Sequence, residues 1–198
     1  MLTRRLSLFG FLLLGITGGG LVAEPAAAAT FDGETLPDTY TVDGQTLLLN
    51  GIGVRTLTIL AIRAYVAGLY LPQPNHDAQQ ILASNEPKVI ILKFVHGASK
   101  ERIERQYRAG EAENCGGGAC DPNDETEFEH LVAVAPAVKP GDTTTYVITS
   151  PRVRVYANDR LIDEFSNKDL AYRLIDGFIG AHPPTPALRR ELLGLPPD

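Results

Sequence analysis

The sequence predicts an α+β domain, a mainly antiparallel sheet with helices laid over it. Strand-like runs come in pairs joined by tight-turn dipeptides, Asp43-Gly44 and Asn158-Asp159. Helix-length segments with capping residues are grouped between and after those pairs, the layout of a sheet covered by helices. No internal repeat interrupts this order.

Taken in order, Tyr40–Val42 and Gln45–Leu49 flank Asp43-Gly44 and form a hairpin. Arg55–Ile59 and Ile62–Leu71 read as two further strands, their connection placed by inference because it holds neither glycine nor proline. Asn75–Ser84 is a short helix and Lys88–Val95 a buried strand. Ser99 caps a helix running to about Asn114, with Glu101 in the first turn where the helix dipole favours an anion. After a glycine-rich loop, Glu125–Val134 reads as helix, and Thr143–Thr149 and Arg152–Ala157 as strands. Asn158-Asp159 turns the chain onto Arg160–Phe165. Ser166 with Asp169 starts a helix over Leu170–Ile179 that Gly180 ends. Thr185 with Pro186 opens a last helix, stopped by Gly194 and Pro196.

The first residues read as an export signal. Arg4 and Arg5 precede an apolar run from Leu6 to Ala23, followed by Glu24, Pro25 and alanines 26–29. A membrane anchor is the rival reading, but Gly15, Gly18, Gly19 and Gly20 weaken the helix it needs, and the alanines offer a cleavage site. We expect cleavage near Ala29, no stable membrane span afterwards, and a periplasmic or secreted domain over residues 30–198. Thr3-Arg4-Arg5 matches a twin-arginine signal only in part, so the export route stays open.

Removing residues 1–29 takes away Arg4, Arg5 and Glu24 and leaves 16 basic against 23 acidic side chains, a net charge of −7. Such a balance without a basic face argues against a nucleic-acid partner. The remaining length suits one compact domain, expected to be a monomer. Cys115 and Cys120 bracket a glycine-rich loop, and in an oxidising compartment they are expected to form a local disulfide. His76, His96, His130 and His182 lack ligand spacing, so neither metal nor cofactor is implied. Asp121, Asn123 and Glu125 resemble the start of a calcium loop, but Thr126 stands where its sharp turn needs glycine.

The candidate functional residue is Arg55, set in the apolar, β-prone run Asn50–Pro72. A guanidinium keeps its charge, so it must be paired, exposed or held ready for an anion. A strand-end arginine with its head in water and the anchor of a ligand cleft both satisfy that rule.

Further motifs carry a resemblance. Gly53-Val54-Arg55 and Ala67-Gly68-Leu69-Tyr70-Leu71, then Ile179-Gly180-Ala181-His182 and Pro186-Ala187-Leu188-Arg189-Arg190, in this order and spacing, resemble the chalcone isomerase-like family, most of all its exported bacterial branch. The likeness spans about Asn50 to Gly194, with a gap around the cysteine loop. It implies an open-faced β-sandwich: a large sheet, a helical layer and a ligand cleft between them. It places Arg55 at the arginine that faces the ligand anion, and Tyr107 and Asn114 at a cleft tyrosine and asparagine. Their spacing of seven puts both on one helical face. Read without the family, Tyr107 could be a half-buried core residue and Asn114 a helix C-cap. Where plant isomerases carry hydroxyl residues, this chain has Tyr65 and, on the late helix, Gly177 followed by Phe178. Tyr65 is either core or a replacement hydroxyl, and Gly177 either packing relief or a site position.

Two functions follow from the resemblance. As a binding module the cleft holds an amphipathic carboxylate such as a fatty acid, with Arg55 and Tyr65 on the head group and Tyr107, Asn114 and Phe178 along the wall. As an isomerase, an intramolecular lyase, it cyclises an ortho-hydroxychalcone. Arg55 then holds the phenolate, and Tyr107 acts through a water on the developing enolate. The altered hydroxyl pair and the export signal favour binding.

Overall fold

The computed structural model describes residues 28–57, 62–115 and 122–196. A hairpin of β1 (Ala28–Phe31) and β2 (Glu34–Pro37) precedes a seven-stranded sheet. The sheet runs β3 (Thr39–Val42), β4 (Gln45–Leu57), β5 (Ile62–Leu71), β6 (Lys88–Phe94), β7 (Thr143–Thr149), β8 (Arg152–Ala157) and β9 (Arg160–Ser166), each antiparallel to its chain neighbour. Helix α1 (Ala78–Ala83) lies between β5 and β6, α2 (Lys100–Cys115) and α3 (Pro122–Val134) between β6 and β7, and α4 (Lys168–Ile179) and α5 (Pro186–Leu192) after β9.

The hairpin turns are built as their sequences require. Asp32-Gly33, Asp43-Gly44 and Asn158-Asp159 all adopt positive φ at both positions, the mirror-image turn whose twist matches the strands it joins. The sheet curls. Asp43, at the β3–β4 turn, pairs with Arg154 of β8 at 2.8 Å, though three strands lie between β4 and β8.

Alternation along the strands divides the apolar side chains between two cores. On one face Leu69, Ile90, Tyr146, Ile148 and Val153 pack against Leu131, Leu170, Ile175 and Leu188 of the helices. On the other, Val66, Tyr70, Val89 and Val147 are covered by Leu36 and Phe31 of the β1–β2 hairpin. Tyr70 donates its buried hydroxyl to the Pro37 carbonyl at 2.8 Å and ties that hairpin down.

Several boundaries differ from the expected ones. Gln45–Leu49 and Arg55 belong to one 13-residue strand, not two. A bulge at Asn50 lets the strand continue, and the buried Asn50 side chain replaces the interrupted ladder by donating to the Leu192 carbonyl at 2.9 Å and accepting from Asn75 N at 2.7 Å. Helix α1 is shorter than expected because Asp77 caps it, accepting from Gln79 N and Gln80 N. The cap of α4 is Asn167, not Ser166. Gly180 does end α4, but at φ −76°; it is needed because a Cβ there would run into Asp176.

Candidate functional site

The site starts from how β4 is held. Gly51 and Gly53 give α5 room to lie against this strand: a Cβ at Gly51 would overlap the Glu191 and Leu192 carbonyls, and one at Gly53 the Glu191 side chain. Glu191 accepts a hydrogen bond from Val54 N at 3.0 Å, and burial pushes its carboxyl up. The next residue is Arg55, so its position is set by the clamp beside it.

Arg55 stands directly opposite Tyr65 on β5, and Tyr65 directly opposite Phe94 on β6. Directly opposed residues share a face, so the three form a row across the sheet. The Tyr65 and Phe94 rings meet edge to face at 5.8 Å. Arg55 Nη2 donates to Gln106 Oε1 of α2 at 3.3 Å, and no carboxylate among the described residues pairs with it. Tyr65 is pushed up to about 12, by burial first and against the pull of the Arg55 charge. It is therefore a neutral hydroxyl at ordinary pH.

Tyr107 reaches down from α2 and is hydrogen-bonded through its hydroxyl to that of Tyr146 on β7. Its ring packs edge-on against Phe128 of α3 at 6.3 Å. Burial pushes Tyr107 up to about 12 and Tyr146 well above the ordinary phenol value. The three phenols lie close enough to interact: Tyr107 raises Tyr65, and both raise Tyr146, whose hydrogen bond in turn lowers Tyr107.

Around them a cavity of about 1330 Å³ opens between sheet and helices, beyond the roughly 300–1,000 Å³ of ordinary ligand pockets. Its apolar wall includes Leu92, Phe94, Leu131, Val155, Leu174 and Phe178. Helix α2 sends only Ile103 and Tyr107, both half-buried, against the core, so it roofs the space without filling it.

All five expected cleft residues, Arg55, Tyr65, Tyr107, Asn114 and Phe178, line this one cavity. Asn114 donates to the Gly110 carbonyl at 2.9 Å and to the His182 carbonyl at 3.4 Å, tying α2 to the α4–α5 connection, while its buried Oδ1 has no partner among the described residues. Gly177 also lines the cavity, and a Cβ there would meet nothing within 4 Å, so packing relief is not its role. Tyr146, Gln106 and Arg102 line the cleft too and were not singled out by sequence. Tyr146 had one usable signal, a phenol at the centre of the strand Thr143–Thr149, whose middle five residues are buried on both faces. Gln106 and Arg102 had none.

The expected Cys115–Cys120 bridge rests on Cys120, and the export segment on residues 1–27; both lie outside the described residues. Ala28 and Ala29, at the expected cleavage point, pair with Pro37 and Leu36 in β1. Among the described residues, no helix is long and apolar enough to cross a membrane, and no group of His, Cys, Asp or Glu could hold a metal ion.

A curled antiparallel sheet with helices over one face is the architecture of a known family. The chain belongs to the chalcone isomerase-like family, whose profile matches residues 28–194. Its fold is similar to the crystal structure of a fatty-acid binding protein from Arabidopsis thaliana, with a TM-score of 0.65 over 84% of this chain and 96% of that one, at 15% identity. Among curated proteins, none matches the chain.

Proposed function

We propose that the protein is an exported binding module that holds an amphipathic carboxylate, such as a fatty acid, in the cleft beneath α2. The observation that carries this reading is Arg55: a guanidinium with no carboxylate partner among the described residues, at the rim of a large, mostly apolar cavity. Arg55 offers the head group a planar pair of N–H donors, and Tyr65 a neutral hydroxyl beside it. The apolar wall takes the chain. The likeness to a fatty-acid binding protein supports a ligand of this class.

Native mass spectrometry of the mature protein, purified from the periplasm without delipidation, tests it. The expected result is a bound species in the mass range of a long-chain acid, restored by palmitate after stripping. Ligand-free protein that takes up no palmitate contradicts it.

The isomerase reading draws on the Tyr107–Tyr146 pair, two neutral hydroxyls on the same cleft as Arg55. Loss of the visible chalcone band on mixing an ortho-hydroxychalcone with the protein would favour it. An unchanged spectrum would leave binding as the function.

A further inference from the structure

We propose that the cleft mouth is a two-cation site whose best ligand is a phosphate monoester carried on one apolar chain. The inference rests on the binding reading above and specifies its head group.

Arg102 lines the same cavity as Arg55. It lies one helical turn before Gln106, and residues four apart on a helix stand about 5–6 Å from each other on one face. Gln106 is the residue that accepts the Arg55 guanidinium. Arg102 and Gln106 thus share the face of α2 that receives Arg55. Of the carboxylates nearest the two arginines on α2 and α3, Glu104 pairs with Lys100 at 3.6 Å and Glu129 with Arg108, while Glu111, Glu113, Asp169 and Asp176 line the cavity as well. Glu101 is hydrogen-bonded to Ser99, which holds its carboxyl low, with Arg105 and Lys100 as its charged neighbours. Among the described residues, neither Arg55 nor Arg102 has an acidic partner.

A carboxylate has two oxygens, which Arg55 and Tyr65 suffice to engage, leaving Arg102 idle. A phosphate monoester brings three acceptor oxygens and nearly two negative charges. Arg55, Arg102 and the amide N–H₂ of Gln106 supply donors for all three, and charge-assisted bonds of this kind are about twice as strong as neutral ones. The apolar chain then follows the path proposed for a fatty acid.

Calorimetric titration at pH 8 with decanoate, decyl sulfonate, decyl phosphate and inorganic phosphate tests this. The sulfonate separates tetrahedral shape from charge, and inorganic phosphate separates a lipid head group from the free ion. Wild-type protein is expected to bind decyl phosphate about tenfold tighter than the two monoanions, and inorganic phosphate far more weakly. Arg102→Gln should bring the ratio of decyl phosphate to decanoate affinity down to about one. Arg105→Gln, outside the cavity lining, should retain the preference. Equal affinities in wild type, a preference that survives Arg102→Gln, or inorganic phosphate binding as tightly as decyl phosphate would each overturn the proposal. Decanoate binding without a phosphate preference overturns the head-group assignment alone, whereas failure of every amphiphile overturns the binding reading beneath it.

Discussion

Arg55 and Tyr65 face each other across the β4–β5 ladder because Ala64 is bulged out of it. Leu57 pairs with Ile62 and Thr56 with Arg63, but Arg55 pairs with Tyr65. Without the bulge Arg55 would oppose Ala64, and Tyr65 would oppose Val54 on the other face of the sheet. The freed Ala64 carbonyl accepts from Val95 N at 2.9 Å and His96 N at 3.2 Å, so the bulge is paid for by the next strand. One inserted residue thus decides whether the guanidinium and the phenol share a cleft.

The glycines that precede Arg55 should be intolerant of any side chain, in a definite order. Gly51→Ala forces backbone carbonyls of α5 aside, whereas Gly53→Ala meets the Glu191 carboxylate, which can rotate, and the Glu191 Cβ at 2.5 Å, which moves only with α5. Overpacking of this kind costs about 1–3 kcal/mol, with Gly51→Ala at the upper end. Urea denaturation midpoints give the order. Equal midpoints for both variants and wild type would show that α5 does not clamp β4.

Tyr107 and Tyr146 satisfy each other, so removing one hydroxyl strands the other. Tyr107→Phe and Tyr146→Phe should each destabilise by about 1–3 kcal/mol, and the double variant by less than the sum. A double-mutant cycle with additive losses would show that the hydroxyls find other partners.

The raised phenols make stability sensitive to alkali. A tyrosine held near 12 when folded and near 10 when unfolded binds its proton more tightly in the native state. Its contribution is full below about pH 10 and is lost as pH rises through about 12. Denaturation free energy should therefore be flat from pH 8 to 9.5 and fall above it, with tyrosinate absorbance appearing together with unfolding. Tyrosinate developing fully near pH 10 in folded protein would contradict the burial of Tyr65 and Tyr107.

Gly177 sits inside α4 with open space before it. Gly177→Ala should raise stability by about 0.5–1 kcal/mol through helix propensity. Gly177→Leu should instead weaken binding of long acyl chains while the protein stays folded, because its side chain enters the cavity. A long-chain affinity unmoved by leucine would place the ligand elsewhere.

The fold was legible in the sequence wherever local chemistry specifies structure: the Asp43-Gly44 and Asn158-Asp159 turns, the Thr185-Pro186 helix start and the alternating strands. The continuity of β4 through Asn50 was not, because a buried asparagine replacing ladder hydrogen bonds depends on Leu192 and Asn75, far along the chain. At the site, Arg55, Tyr65 and Tyr107 were readable as polar groups in apolar runs or through the family pattern. Gln106 and Arg102 look like ordinary exposed positions of a polar helix; only the unfilled space beneath α2 sets them on a cavity wall.

The central claim is that Arg55 holds the ligand's anionic head, and substitution at that one residue tests it most directly. A fluorescent fatty acid is titrated into wild type, Arg55→Lys and Arg55→Ala, with circular dichroism confirming that each is folded. Lysine keeps the charge and loses the planar two-pronged contact, so Arg55→Lys should lose about 1–2 kcal/mol, roughly tenfold in affinity, and Arg55→Ala more. Unchanged affinity in both variants would make Arg55 a surface arginine and contradict the account.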